Sequence, residues 1–116
     1  MLTVYGIPNC NTMKKTFDWL KEHQIDYHFH DYKKKGVDSN TLQSFLKELG
    51  ENVTLNKQGS TYKQLTEEQK TSLNSNEHLF EFLTSKPSAI KRPILEKNGK
   101  YLAGFDLSKL EEFLLK

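Results

Sequence analysis

The hydrophobic pattern at the start of the chain predicts a strand, a helix and a second strand. The run Leu2–Tyr5 is β-prone and is followed by a turn that begins at Gly6. Apolar residues then recur at helical spacing: Met13, Phe17, Trp19 and Leu20. Tyr27–His30 alternates aromatic and polar positions, as a half-buried strand does. A strand, a helix and a strand within about thirty residues form a βαβ unit, whose crossover is right-handed in nearly all proteins.

The middle of the chain has a helical pattern. One stripe follows i, i+3, i+4, i+7 spacing: Leu42, Phe45, Leu46 and Leu49. We expect this helix to begin near Asp38-Ser39 and to end at Gly50. Thr66–Gln69 matches a capping box and predicts a short helix, and a further helix before Pro87 is indicated by four apolar residues: Leu79, Phe80, Phe82 and Leu83. The polar stretch Asn56–Gln64 is predicted to be a loop.

The last third of the chain predicts a hairpin and a closing helix. Asn98-Gly99 is a favoured two-residue turn between β-prone segments at 94–97 and 100–103. Asp106 is a predicted N-cap, followed by apolar residues expected to face inward: Leu107, Leu110, Phe113 and Leu114. The element order predicts an α/β protein of thioredoxin-like fold. We expect one domain over residues 1–116, with a mixed four-stranded sheet and an inserted helical region at about 38–90.

Composition and charge narrow the function classes. The 116 residues are 35% hydrophobic and 28% charged, which is typical of a globular domain. A net charge of +2 argues against direct nucleic-acid binding, which usually needs an obvious excess of basic residues. The longest uncharged apolar stretch, Tyr101–Phe105, is too short to span a bilayer. No signal-peptide pattern is visible at the N-terminus, so we expect a cytoplasmic protein without membrane partners.

The single cysteine, Cys10, is the strongest candidate for chemistry. One cysteine cannot form an intrachain disulfide or a cysteine zinc cage. Cys10 lies where the first strand leads into the first helix, and free N–H groups at a helix N-terminus favour a thiolate. Lys14 and Lys15, in the first turns of that helix, favour an anion as well. The alternative is a cysteine that serves only as a small buried hydrophobic residue.

Arg92 is the only arginine among 17 basic residues, and it directly precedes Pro93. Two interpretations are open. In the first, which the sequence alone favours, a trans proline opens an edge strand and Arg92 is exposed. In the second, a cis turn sets Arg92 opposite Cys10, where its planar fork of donors would clamp an anion.

The histidines predict no metal site. His28 and His30 share one face of the predicted strand, but no third ligand accompanies them, so we expect both at the surface and no bound metal. The run Lys33–Lys35 is expected to be a solvated turn before Gly36.

Three stretches of the chain, taken together, carry a family resemblance. They are Tyr5-Gly6-Ile7-Pro8-Asn9-Cys10-Asn11-Thr12-Met13-Lys14-Lys15, then Ile25-Asp26-Tyr27 with His30-Asp31-Tyr32, then Ile90-Lys91-Arg92-Pro93-Ile94. This combination resembles the arsenate reductase-like (ArsC/Spx/YffB) family, and within it the YffB-like group most closely. The family is a thioredoxin-fold branch with a helical insertion. The resemblance implies that Cys10 is the redox nucleophile and that Arg92 and a cis Pro93 face it.

The resemblance also implies a reaction class. The Cys10 thiolate would attack an oxidised substrate, such as a glutathione mixed disulfide or an oxyanion. An external thiol would resolve the adduct: glutathione, another low-molecular-weight thiol or a glutaredoxin-like protein. No bound cofactor is expected. Residues expected to contact the substrate are Asn11 and Thr12 through backbone N–H groups, together with Lys14, Lys57 and Pro93.

Two departures from the family pattern limit what the resemblance implies about function, and a second function is also considered. Glutaredoxin-coupled arsenate reductases place three arginines around the cysteine, and here only Arg92 is present, with Lys57 the nearest cationic substitute in the middle motif. Arsenate is therefore expected to be a poor substrate. Spx-type regulators share the fold but commonly carry Cys-x-x-Cys; here Met13 occupies the position of the second cysteine, so that redox switch is absent. The alternative is a Spx-like non-catalytic regulator that binds the RNA polymerase α-subunit through the Gly50 region and the helical insertion.

Overall fold

Four strands and eight helices make up the fold in a computed structural model that describes all 116 residues. Their bounds, in chain order, are β1 (Leu2–Gly6), α1 (Asn11–Glu22), β2 (Tyr27–Asp31), α2 (Tyr32–Lys35), α3 (Ser39–Leu49), α4 (Glu51–Thr54), α5 (Ser60–Lys63), α6 (Glu67–Ser72), α7 (Asn76–Ser85), β3 (Ile94–Lys97), β4 (Lys100–Ala103) and α8 (Leu107–Leu115). A 3₁₀ turn at Pro87–Ala89 precedes β3. No helix combines the length and the apolar character needed to cross a bilayer.

The sheet is mixed and has the strand order β2-β1-β3-β4. Strand β1 runs parallel to β2 and antiparallel to β3, and β3 pairs antiparallel with β4. The β3–β4 turn has positive φ at both Asn98 (54°) and Gly99 (78°), which is the backbone that a tight hairpin with the native strand twist requires. The predicted α/β, thioredoxin-like sheet is confirmed.

Two hydrophobic clusters pack against the sheet. One joins β1 and β3 to α1 and α8, with a buried set of Leu2, Val4, Met13, Trp19, Leu20, Leu95 and Leu110. The other joins β3 to the helices between β2 and β3, with a buried set that includes Tyr32, Leu42, Phe45, Leu79, Leu83, Ile90 and Ile94. Cys10 packs against both clusters. Its loop is therefore anchored on two sides.

Within the helical region between β2 and β3, two helices, α3 and α6, begin at the capping signals that the sequence predicts. The Asp38 carboxylate caps α3 by accepting from the Thr41 N–H at 2.7 Å, and α3 ends before Gly50. Both halves of the Thr66 capping box are present at α6. An isolated antiparallel bridge, Leu55↔Ile90, then joins the middle of this region to the approach to β3.

Three sequence predictions about local structure were wrong. The predicted loop at 56–64 contains α5, a single helical turn that packs on the 3₁₀ turn, because a tertiary contact compensates for weak local signals. Leu107 is 54% exposed rather than inward-facing, and it is the first residue of α8. His30 is half-buried beside Tyr5, with ring centroids 5.1 Å apart.

Candidate active site

Cys10 is the N-cap residue of α1. Its backbone is extended (φ −147°, ψ 135°), and its carbonyl accepts the first helical hydrogen bond, from the Lys14 N–H at 3.0 Å. No acidic side chain occupies the first turn, and no side-chain oxygen caps it. The first N–H groups of α1 therefore have no intrahelical acceptor. The half-buried thiol lies at the positive end of the helix.

The protein lowers the pKa of the Cys10 thiol. Burial alone would raise this pKa, but it is outweighed by the backbone N–H groups of Met13 and Thr12 together with the donor groups and charge of Arg92. The thiol completes no capping hydrogen bond of ordinary geometry. The N–H dipoles nevertheless point toward its end of the helix, so they stabilise the thiolate more than the thiol.

Arg92 lies beside Cys10 and is mostly buried. The Arg92–Pro93 bond is cis, as the resemblance implied and contrary to the trans bond that the sequence alone favours. Guanidinium Nη1 donates to the Ser88 carbonyl at 2.8 Å. Nε is buried and has no hydrogen-bond partner. The exposed, strand-opening interpretation of Arg92 is therefore wrong, and an unused donor of a permanent cation remains next to the thiol.

Tyr32 is a buried neighbour of Arg92. It is 1% exposed, and burial raises the pKa of its phenol well above the usual range, with Tyr5 adding to the rise. The neutral hydroxyl points at the Lys91 carbonyl at 3.5 Å, the residue before Arg92. The apolar cluster thus reaches the backbone that carries the guanidinium.

A shallow groove of about 420 Å³ opens beside Cys10. Its lining residues are Pro8, Asn9, Cys10, Asn11, Lys14, Phe17 and Asp18. This volume lies within the range of about 300–1,000 Å³ that is usual for small-molecule sites. Two predicted substrate contacts, Asn11 and Lys14, are therefore at the groove, where Lys14 is exposed and forms no ion pair.

The other predicted residues are distributed unevenly around the thiol. Thr12 contributes its N–H to the Cys10 environment, and Pro93 is buried behind Arg92. Lys57 does not line the groove at Cys10. It is exposed and borders a narrow cavity of the helical region, shared with Glu51, Tyr62, Lys70 and Leu79 among others. Its role in binding substrate stays a prediction.

Sequence reasoning missed three groups around the thiol. Met13 supplies the N–H with the larger effect on the Cys10 pKa, and the rule that an N-cap side chain faces the second and third helical residues points to it. Ser88 acts through its carbonyl, and Tyr32 through burial. No residue-type signal identifies these last two roles, because both depend on how distant segments pack.

The histidines do not form a metal site with neighbouring side chains. His30 Nε2 is 2.7 Å from the Gly36 carbonyl, so it is engaged as a donor to the backbone. Nowhere in the chain do three or more His, Cys, Asp or Glu side chains lie close enough to hold one ion.

Comparison with known proteins places the chain among related sequences. The model of the ArsC family matches residues 5–113. An "Uncharacterized protein" of Haemophilus influenzae is 42% identical over 106 residues, covering 91% of this chain and 92% of that protein. The regulatory protein MgsR of Bacillus subtilis is 32% identical over 115 residues, covering 94% of this chain and 86% of MgsR.

A solved structure has the same architecture. The YFFB (PA3664) protein is 40% identical and superposes with a TM-score of 0.90, and the match covers 100% of both chains. The similarity therefore extends over the helical region between β2 and β3 as well as over the sheet.

Proposed function

Because the chain belongs to the ArsC family, we propose that it is a thiol oxidoreductase that works with the single cysteine Cys10. Its substrates are oxidised thiols, such as the mixed disulfide of glutathione with another thiol. Glutathione, another low-molecular-weight thiol or a glutaredoxin-like protein serves as co-substrate. No bound cofactor takes part.

The proposed cycle has two exchanges. The Cys10 thiolate attacks the glutathione sulfur of R–S–SG, the S–S bond breaks, and R–S⁻ leaves and takes up a proton. A second glutathione thiolate then attacks the Cys10–glutathione disulfide, releasing oxidised glutathione and restoring the Cys10 thiolate. The substrate disulfide is reduced to RSH while two glutathionyl groups become one disulfide, so electrons and atoms balance.

One observation carries this proposal: Cys10 is the N-cap residue of α1, and its thiol has a lowered pKa beside the mostly buried cation Arg92. A cysteine kept only for packing would show a pKa raised by burial, without charged or N–H groups that outweigh it. The charge and donor groups of Arg92, which help to lower this pKa, also favour an anionic substrate group. The groove at Asn11 and Lys14 provides space for a substrate beside Cys10.

Turnover assays test the proposal. Purified protein is offered a glutathionylated peptide with glutathione, with cysteine and with a glutaredoxin as reductants, and Cys10→Ser is the control. We expect turnover with at least one reductant and none for Cys10→Ser. Equal rates for the two proteins with every reductant would refute the proposal.

A second candidate function is that of a regulator without catalysis, and the similarity to MgsR favours it. In that case the helical region would dock on the C-terminal domain of the α-subunit of RNA polymerase. A groove of about 560 Å³ between α3 and α7, bordered by Leu46, Leu79 and Phe80 among others, is the surface near Gly50 that such docking would use.

A pull-down with this C-terminal domain of the polymerase separates the two functions. Retention of the wild type and of Cys10→Ser alike, together with no thiol turnover, supports the regulator. Thiol turnover without retention supports the oxidoreductase.

A further inference from the structure

The direction of the Arg92 side chain depends on the 3₁₀ turn at Pro87–Ala89. Arg92 Nη1 makes one hydrogen bond, to the Ser88 carbonyl at 2.8 Å. A guanidinium on a flexible stem has many rotamers, so this fixed acceptor is what orients the planar fork. The position of Ser88 therefore decides where the remaining donors of Arg92 point.

The neighbouring carbonyls of this turn are already used by backbone donors. Lys86 O accepts from the Ala89 N–H at 2.9 Å, and Pro87 O accepts from the Ile90 N–H at 3.0 Å. Ala89 O accepts from the Asn56 N–H at 2.8 Å. The Ser88 carbonyl is thus the one acceptor of the segment that no backbone N–H occupies, and Arg92 takes it.

A hydroxyl pair ties the same residue to the helical region. The hydroxyls of Ser88 and Thr61 are 2.8 Å apart, and both residues are half-buried. Thr61 belongs to α5, the turn of helix that the sequence did not predict. A hydrogen bond between two partly buried hydroxyls at this distance restricts both side chains and, through Ser88, the turn.

Backbone pairing on the other side completes the support. The Leu55↔Ile90 bridge is flanked by two hydrogen bonds of 2.8 Å, from the Asn56 N–H to Ala89 O and from the Lys91 N–H to Thr54 O. The turn is therefore held at its C-terminal end by backbone pairs, and at its centre by the Thr61 hydroxyl.

We propose that Thr61 is a positioning residue of the active site, which holds the Ser88 turn so that Arg92 keeps its fork directed at Cys10. The helical region then contributes to the chemistry of Cys10 through Ser88 and Arg92. This inference rests on the proposed function, because it takes the Cys10 thiolate as the reactive group.

The test removes one hydroxyl at a time. Thr61→Val and Ser88→Ala delete either half of the pair, and Thr61→Ser keeps the hydroxyl. For each, the Cys10 pKa is measured by thiolate absorbance, and the rate of Cys10 with oxidised glutathione is measured at a pH below that pKa. We expect both deletions to raise the pKa and to slow the reaction about two- to fivefold, less than the loss of Arg92 itself. Thr61→Ser, which keeps the hydroxyl, should have the pKa and the rate of the wild type.

Two controls separate positioning from general destabilisation. Thr84→Val removes a hydroxyl bonded at 2.8 Å to Phe80 O on the exposed side of α7, and it should leave the pKa and the rate unchanged. In an Arg92→Ala background, Thr61→Val should have no further effect on either, because the group that it orients is gone.

Each outcome decides a separate question. Unchanged pKa and rate in folded Thr61→Val and Ser88→Ala would overturn the inference, as would equal effects with and without Arg92. A wild-type Cys10 of ordinary pKa that does not react with oxidised glutathione would instead refute the proposed function. If Thr61→Val does not fold, Ser88→Ala decides the question in the same way, because it removes the hydroxyl pair and leaves the carbonyl acceptor in place.

Discussion

Replacing Arg92 by lysine is the most informative single change. Lysine keeps the positive charge but has no planar fork. It therefore cannot donate to the Ser88 carbonyl through one nitrogen while a second nitrogen of the same plane serves the thiol. Its ammonium is also more strongly hydrated, whereas the Arg92 side chain that it replaces is mostly buried. We therefore expect Arg92→Lys to bind and position an anionic substrate group less well while still favouring the thiolate.

The structure sets the expected magnitude. Hydrogen bonds to charged groups contribute on the order of 1.5–3 kcal/mol, and a guanidinium donor held beside the thiol would form one such bond to an anionic substrate. Loss of that bond in the transition state corresponds to roughly ten- to hundredfold in kcat/KM. The Cys10 pKa should rise slightly in Arg92→Lys and more in Arg92→Ala, because Arg92 lowers it partly by charge.

Matched kinetics check this prediction. Wild type, Arg92→Lys and Arg92→Ala are compared with a glutathionylated peptide as substrate, and melting temperatures show whether each variant is folded. Lys91→Gln serves as the control. It removes the positive charge next to Arg92 in the sequence, from a side chain that lies against Gly104. Equal kcat/KM for wild type and Arg92→Lys would show that Arg92 does not act as a fork, and would leave Cys10 without its proposed partner.

Three further predictions test the electrostatics. The rate of Cys10 alkylation should fall as the pH is lowered through a pKa below that of a free thiol, and an ordinary pKa from thiolate absorbance would contradict this. Ionisation of Cys10 should stabilise the reduced protein fully above the free-thiol pKa, and this contribution should be lost as the pH falls through the pKa of the folded state. Arsenate should be a much poorer substrate than a glutathionylated peptide, since Arg92 is the only arginine; saturable arsenate turnover that requires Cys10 would show that lysines replace the others. The Thr41 backbone and side-chain donors lower the pKa of Asp38, so its carboxylate should stabilise α3 above the usual pKa and lose this effect as acid protonates it. The free energy of unfolding in denaturant, measured against pH, should lose this acid-dependent decrease in Asp38→Asn, which retains a capping oxygen.

The fold could be predicted because its signals are local. The Asn98-Gly99 turn, the Asp38 cap and the Thr66 capping box each lie within four residues of the backbone groups that they satisfy. The predicted loop at 56–64 was wrong for the opposite reason. Its helical turn is supported by Thr61 on Ser88, 27 residues away, and no local pattern reports such a contact.

In the candidate site, too, the residue with a local sequence signal could be predicted, and the contacts that depend on tertiary packing could not. Cys10 was identifiable because a cysteine between a strand and a helix has a predictable backbone environment. The partners of Arg92 were not: its acceptor is a main-chain carbonyl, which every residue has, and its burial results from Tyr32 and the 3₁₀ turn packing around it. The cis bond before Pro93 followed from the resemblance to a family and not from the residue pair.

The arrangement around Cys10 suits both exchanges of the proposed cycle. In the first, the N–H groups of Met13 and Thr12, together with Arg92, favour the thiolate over the thiol, at some loss of intrinsic nucleophilicity. Once the mixed disulfide forms, Cys10 carries no charge and these donors have no anion to stabilise. They regain one only when the second thiol attacks and Cys10 leaves as a thiolate, and a thiol of low pKa leaves faster. A chain with one cysteine cannot resolve its own adduct, so stabilising the leaving group is the means by which its own residues can accelerate attack by an external thiol.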